Sequence, residues 1–138
     1  MKRVLVDTGP LYAMVDQDDG WHRRVRAYLE NVHPQLVIPI TTLPEVCYLI
    51  TAHLGALIEV QFVRSIQRDD VIIEFLKKED LVRTGEVMAK YADMSVGFVD
   101  ASVVALAERL KIREVLTTDR RHFSLIRPRH CSVFDLRP

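Results

Sequence analysis

Short unbroken apolar runs alternate along this chain with longer segments whose apolar residues recur every three or four positions. Arg3–Val6, Leu36–Ile38, Val71–Ile73 and Val115–Thr118 lack the apolar–polar alternation of a half-exposed strand. They predict central strands of a parallel sheet covered on both faces. Ser132–Phe134 predicts a fifth strand at an edge. Between the strands, Trp21, Val25, Tyr28 and Leu29 share one face of a helix over Trp21–Val32. Thr8-Gly9-Pro10 predicts a turn, with Pro10 at the first position of a short helix through Leu11, Tyr12 and Val15. Further helices are expected from Thr42 toward Gly55, over Leu57–Ile66 and over Lys77–Tyr91. Phe98–Leu110 is apolar nearly all round, which predicts a deeply buried helix. Strands alternating with helices specify an α/β fold with a mainly parallel sheet of four to five strands.

Composition narrows the picture. A chain of 138 residues, 49% of them apolar, suits a single domain over 1–138 and excludes a disordered chain. Basic and acidic residues number 19 each, so bulk charge gives no attraction to nucleic acid or anionic membrane. The distribution is uneven: from Arg109 onward Lys and Arg outnumber Asp and Glu. That basic end reads either as a solvated surface or as a phosphate-contacting one. Cys47 and Cys131 form no CxxC or Cys/His cluster, and Met1-Lys2-Arg3 opens no signal peptide. A cytoplasmic protein with free, buried thiols and no membrane span is the expectation.

Four acids stand where the predicted elements meet. Asp7 closes the first strand, Asp119 follows the fourth, and Glu45 and Asp100 fall in the first turns of two helices. Each has a structural alternative. Asp7 also suits a turn, where Asp bonds backbone amides two positions on. Thr42-Leu43-Pro44-Glu45 matches a capping box, and Asp119 suits the cap of a turn over Arg120-Arg121-His122-Phe123. Asp100 is different, because Val103, Val104 and Ala107 share its helical face. A helix N-terminus stabilises an anion by roughly 0.3–1 kcal/mol, against several kcal/mol for burying one. A partner cation explains Asp100 better. In a parallel sheet the strand ends converge on one crevice, where hard carboxylate oxygens suit Mg2+ or Mn2+. The acids have no His or Cys ligand beside them in this reading, which argues against zinc.

Around the acids, Thr8 and Thr118 offer hydroxyls to a carboxylate or a water, and Arg120 and Arg121 are placed to hold an RNA phosphate. Asp93 reads as a cap or a secondary ligand, whereas Asp16, Asp18, Asp19 and His22 read as surface.

The pieces Val4-Leu5-Val6-Asp7-Thr8-Gly9-Pro10-Leu11 and Thr41-Thr42-Leu43-Pro44-Glu45-Val46 are joined by two more, Phe98–Ala107 and Val115–Phe123. In this order they resemble the PIN domain family, and within it the VapC-type toxins of toxin–antitoxin pairs. The resemblance implies a Rossmann-like α/β/α three-layer sandwich and a metal-dependent endoribonuclease using Asp7, Glu45, Asp100 and Asp119. It also implies Mg2+ or Mn2+ as cofactor, an RNA substrate of the tRNA or rRNA type, a small protein antitoxin and a homodimer. Tyr91-Ala92-Asp93 resembles a further family segment. A free-standing PIN nuclease of RNA processing and a non-catalytic RNA- or protein-binding PIN-like module are the alternatives. The second usually lacks one or more acids, and all four are present here. A phosphatase of the haloacid dehalogenase type would want an acid two residues after Asp7, where Gly9 stands.

Overall fold

The computed structural model describes residues 1–138. Five strands form one sheet: β1 (Arg3–Val6), β2 (Gln35–Pro39), β3 (Val71–Glu74), β4 (Glu114–Leu116) and β5 (Asp135–Arg137). Their order is β3-β2-β1-β4-β5 and every pairing is parallel. Successive side chains of a strand point to opposite faces, and the central strands are apolar on both. Val4, Val6, Leu36 and Ile38 pack into one cluster with Leu11, Val25, Val46 and Ile50. Leu5, Val37 and Val115 pack on the other side with Val87, Val103, Val104 and Leu106. The result is a three-layer α/β/α sandwich around an all-parallel sheet.

Helices α1 (Thr8–Val15), α2 (His22–Val32), α3 (Thr42–Leu54) and α4 (Ala56–Ser65) supply the first layer. The second holds α5 (Lys78–Lys90) and α6 (Phe98–Leu110), with α7 (Arg120–Leu125) beside β5. No helix is long and apolar enough to cross a membrane. Ala101 to Ala107 are all buried in α6, as its apolar circumference predicts.

Several boundaries differ from the sequence expectation. Thr8-Gly9-Pro10 is the first turn of α1 rather than a separate turn. Proline fits there because the first helical N–H groups have no intrahelical acceptor. The edge strand lies at Asp135–Arg137, not Ser132–Phe134, because buried Phe134 stacks edge-on against Phe123 instead of pairing. Residues 120–125 form a helix, where a turn was expected. Cys47 and Cys131 are free but only partly buried.

Two polar ties fix the helices that carry chemistry. Ser102 of α6 shares a hydrogen bond of 2.7 Å with Thr41, just before α3, and donates to the Val99 carbonyl at 2.6 Å. The start of α3 is thereby held against the first turns of α6. At the other end of α6, Arg109 binds Asp80 at 3.0 Å and Glu74 at 2.9 Å. Asp80 also accepts the Lys77 amide at 2.8 Å and caps α5.

Candidate active site

β1 and β4 are neighbours, but the chain visits β2 and β3 between them, so the strand order reverses at this seam. A crevice opens beyond the carboxyl ends of such strands, and Asp7 and Asp119 stand there. The Asp7 amide continues the ladder by donating to Leu116 O at 3.0 Å. Its carboxylate is buried and accepts the Thr117 hydroxyl at 3.1 Å. Thr117 Oγ1 also accepts the Asp119 amide at 3.1 Å, so one hydroxyl sets the spacing between the two acids. Asp7 stands at the N-cap of α1 but its side chain makes no cap hydrogen bond.

Burial, with the nearby Asp100 charge second, pushes the Asp7 carboxyl up to about 7 from an ordinary 3.8. The Thr8 amide and Thr117 hydroxyl act against this rise, while Glu45 adds to it. Asp7 therefore feels two other acids of the quartet.

Asp100, in the first turn of α6, is about a quarter exposed rather than enclosed by the apolar residues of its face. Its Oδ2 lies 2.9 Å from His122 Nδ1. One ligand atom each of Asp100, Asp119 and His122 falls within 4.8 Å of the others. Asp119 is exposed and does cap α7, accepting the Arg121 amide at 3.3 Å. For Asp119 the structural and chemical readings coexist, since a carboxylate has a second oxygen to offer.

Glu45 lies in the first turn of α3, and the capping box expected there is absent. Thr42 instead donates to the Pro39 carbonyl at 2.8 Å, and the Glu45 side chain makes no hydrogen bond. Its carboxylate is exposed and free of structural duty.

The chain matches the PIN domain family model over residues 4–127. It belongs to the PIN domain family. Ribonuclease VapC26 of Mycobacterium tuberculosis (strain ATCC 25618 / H37Rv) is 29% identical over 125 residues, covering 91% of this chain and 93% of that protein. Among solved structures, VapC20 of Mycobacterium tuberculosis, a sarcin-ricin loop cleaving toxin, superposes with a TM-score of 0.76 at 18% identity, covering 81% of this chain and 86% of that one. A DNA-bound VapBC from Salmonella typhimurium gives 0.69 at 18% identity, covering 99% of this chain and 98% of that one. These structural likenesses show that the PIN fold extends over nearly the whole chain.

The remaining sequence-predicted residues of this PIN domain divide. Thr8 is buried and its hydroxyl has no partner, leaving a polar atom beside Asp7 without a hydrogen bond. Thr118 does not reach the acids. It packs on Gly9, where an added Cβ would come within 2.0 Å of its Oγ1, and Thr117 holds Asp7 in its stead. Arg120 is tied to the Pro138 carbonyl, whereas the Arg121 side chain is exposed and unpaired. Asp93 is exposed in a short 3-10 helix and makes no side-chain hydrogen bond.

Two residues escaped the sequence reading. Thr117 differs from Thr118 only in which side of the chain it faces, and a one-residue shift reverses that. His122 contradicts the expectation that no histidine joins the acids. It lies three residues after Asp119, a spacing that brings side chains together once 120–125 is helical.

The donor set fits a divalent cation. Carboxylates cluster around a buried acid whose proton is held up to about 7, and the only basic group against them is an imidazole that itself can ligate. Replacing His122 with Ala is expected to lower Mn2+ affinity by about 10- to 100-fold, read by titration calorimetry. An unchanged affinity would show that the ring neither ligates nor orients Asp100.

Proposed function

We propose that this PIN domain, a single unit over residues 1–138, is a metal-dependent endoribonuclease and the toxin of a toxin–antitoxin pair. The observations that support the reading are the Asp100–Asp119–His122 cluster, whose ligand atoms lie within 4.8 Å of one another, and the buried Asp7 at the β1/β4 seam, raised by burial first and then by Asp100 and Glu45. The similarity to a VapC ribonuclease over most of both chains supports the activity. The structural likeness to a VapC toxin and to VapBC complexes supports the toxin role and a small protein antitoxin as partner.

Asp7, Asp100 and Asp119 would hold Mg2+ or Mn2+, with Glu45 completing the site and His122 ligating or orienting Asp100. When bound, the cation would activate a water and offset charge on the leaving oxygen of a phosphodiester. Thr117 fixes the Asp7 carboxylate, so that this ligand needs little rearrangement. Glu45, free of its cap, is available to orient the attacking water or accept its proton. The exposed Arg121 guanidinium would donate to phosphate oxygens, and the buried, unpartnered Thr8 hydroxyl would serve a carboxylate or a water beside Asp7. A structured RNA of the tRNA or rRNA type is the proposed substrate, the cytoplasm the proposed location, and a homodimer the proposed assembly.

Incubation with tRNA and rRNA transcripts in Mg2+ or Mn2+ should give fragments with 5′-phosphate and 3′-hydroxyl ends, and excess EDTA should stop the reaction. Attack by the RNA's own 2′-hydroxyl would leave a cyclic phosphate. That product, or full activity in EDTA, would refute the mechanism.

A further inference from the structure

The acidic crevice occupies the carboxyl edge of the sheet, and an RNA approaching it meets negative charge. The opposite edge, where β1 and β4 begin, has the reverse character. A cleft of about 610 Å3 opens there between the start of α5, the end of α6 and the segment before β5. Five basic and three acidic side chains line it. Two of its acids are already engaged, Asp80 by Arg109 at 3.0 Å, and Glu108 by Arg83 at 2.7 Å and by the Arg129 amide at 2.9 Å, while Glu79 is exposed and forms no ion pair. The rim is left with cations to spare. Lys111 and Arg113 are exposed and form no ion pair or side-chain hydrogen bond, and Arg129 reaches only Glu86, at 3.7 Å on open surface.

The patch continues past the cleft. An adjoining hollow of about 350 Å3 shares Lys111 and Arg113 and adds Lys2 and Arg3 together with the acids Glu114 and Asp135. Lys2 is engaged by Glu114 at 2.9 Å, but Arg3 binds only a neutral acceptor, the Leu110 carbonyl, at 3.1 Å. Across the two hollows seven Lys and Arg side chains stand against five acidic ones, a small local excess in a chain of zero net charge, and it is the unpaired Lys111, Arg113 and Arg3 that carry it. Helix α6 links the two regions, with Asp100 in its first turn and Arg109 near its end. At a rise of about 1.5 Å per residue they are roughly 14 Å apart along the axis.

We propose that the Lys111–Arg113–Arg129 rim binds the sugar–phosphate backbone of the RNA substrate away from the scissile bond. The inference rests on the ribonuclease reading and assigns affinity, not chemistry, to these residues. A polyanion suits the rim better than a small anion, because the free cations are spread over two hollows instead of converging on one point. A folded RNA is long enough to reach both edges of so small a domain, whereas a short single strand seated in the crevice is not held at the far edge.

The test uses binding of a labelled, folded tRNA transcript to Asp7→Asn protein in Mg2+, followed by anisotropy across a salt series. Counterion release makes the slope of log K against log salt proportional to the phosphates neutralised. Lys111→Ala, Arg113→Ala and Arg129→Ala combined should reduce that slope by about two to three. The charge-preserving set Lys111→Arg, Arg113→Lys and Arg129→Lys should restore it. With Asp7 intact, the alanine set should cleave a short single-stranded oligonucleotide at the wild-type rate and a folded tRNA more slowly at low enzyme concentration. An unchanged salt slope overturns the inference while leaving the nuclease reading intact, and so does binding lost equally in the charge-preserving set. RNA that binds with the expected slopes but is never cleaved by wild-type protein sinks the nuclease reading and leaves the rim's role standing.

Discussion

Replacement of Asp7 by Asn is expected to reduce RNA cleavage by on the order of 10^3-fold or more while leaving the protein folded and, without metal, more stable above pH 7. Asn keeps the shape of the side chain and can still accept from the Thr117 hydroxyl, but loses the charge that the proposed metal site requires. The stability gain follows from the direction of its shift. Burial and the Asp100 charge hold the folded-state pKa at about 7, above the ordinary 3.8. Between those values the folded state binds more protons than the unfolded one, so stability falls as pH rises. Three units correspond to about 4 kcal/mol at most. Thermal melts in EDTA from pH 4 to 8 should therefore show wild type losing stability across that window, with the variant flatter. Divalent metal should reverse the ranking, because only the wild-type site binds it tightly. Equal pH profiles for the two proteins would refute the picture of an Asp7 carboxyl raised by burial and by Asp100.

Asp80→Ala acts on the fold instead of the chemistry, and is expected to cost about 2–3 kcal/mol. Asp80 is 3% exposed and does two things at once. It neutralises Arg109, which without it keeps only Glu74, and it accepts the Lys77 amide that would otherwise be an open helix donor. Asp80 is buried but Arg109 is a fifth exposed and lines the open cleft, so what is lost is a charge-assisted pair and a helix cap together. For a domain of this size the thermal midpoint should fall by roughly 10 °C. A shift under about 2 °C would mean that Glu74 alone satisfies Arg109. Metal binding should survive in whatever remains folded, because Asp80 sits near the end of α6 remote from Asp100.

These two acids show what sequence patterns can and cannot carry. Asp7 was readable because it ends an apolar run and precedes a glycine and a proline. Asp80 was not, since a charged residue in the first turn of an amphipathic helix looks like any solvated one. Its burial depends on Arg109, 29 residues later. Glu45 is the converse. Its spacing from Thr42 matches a capping box, yet Thr42 turns to the Pro39 carbonyl and the box does not form. Local spacing permits a cap without enforcing it, and the competing acceptor comes from how β2 delivers the chain into α3.

The apolar pattern by itself determined the α/β class, the parallel sheet, the buried α6 and the four acids at element borders. That is because periodicity records which faces each element must hide from water. The order of family motifs joined those acids into one proposed site. Only the tertiary structure decided that Thr117 and not Thr118 holds Asp7, that His122 stands against Asp100, and that Asp100 is partly open. It also decided that bases scattered from Arg83 to Arg129 gather on the edge opposite the acids. The physical reason is the same for all of these. Hydrogen bonds, proton affinities and electrostatic patches depend on distances of a few ångströms between residues far apart in the chain, and those distances exist only after the sheet has closed the gap.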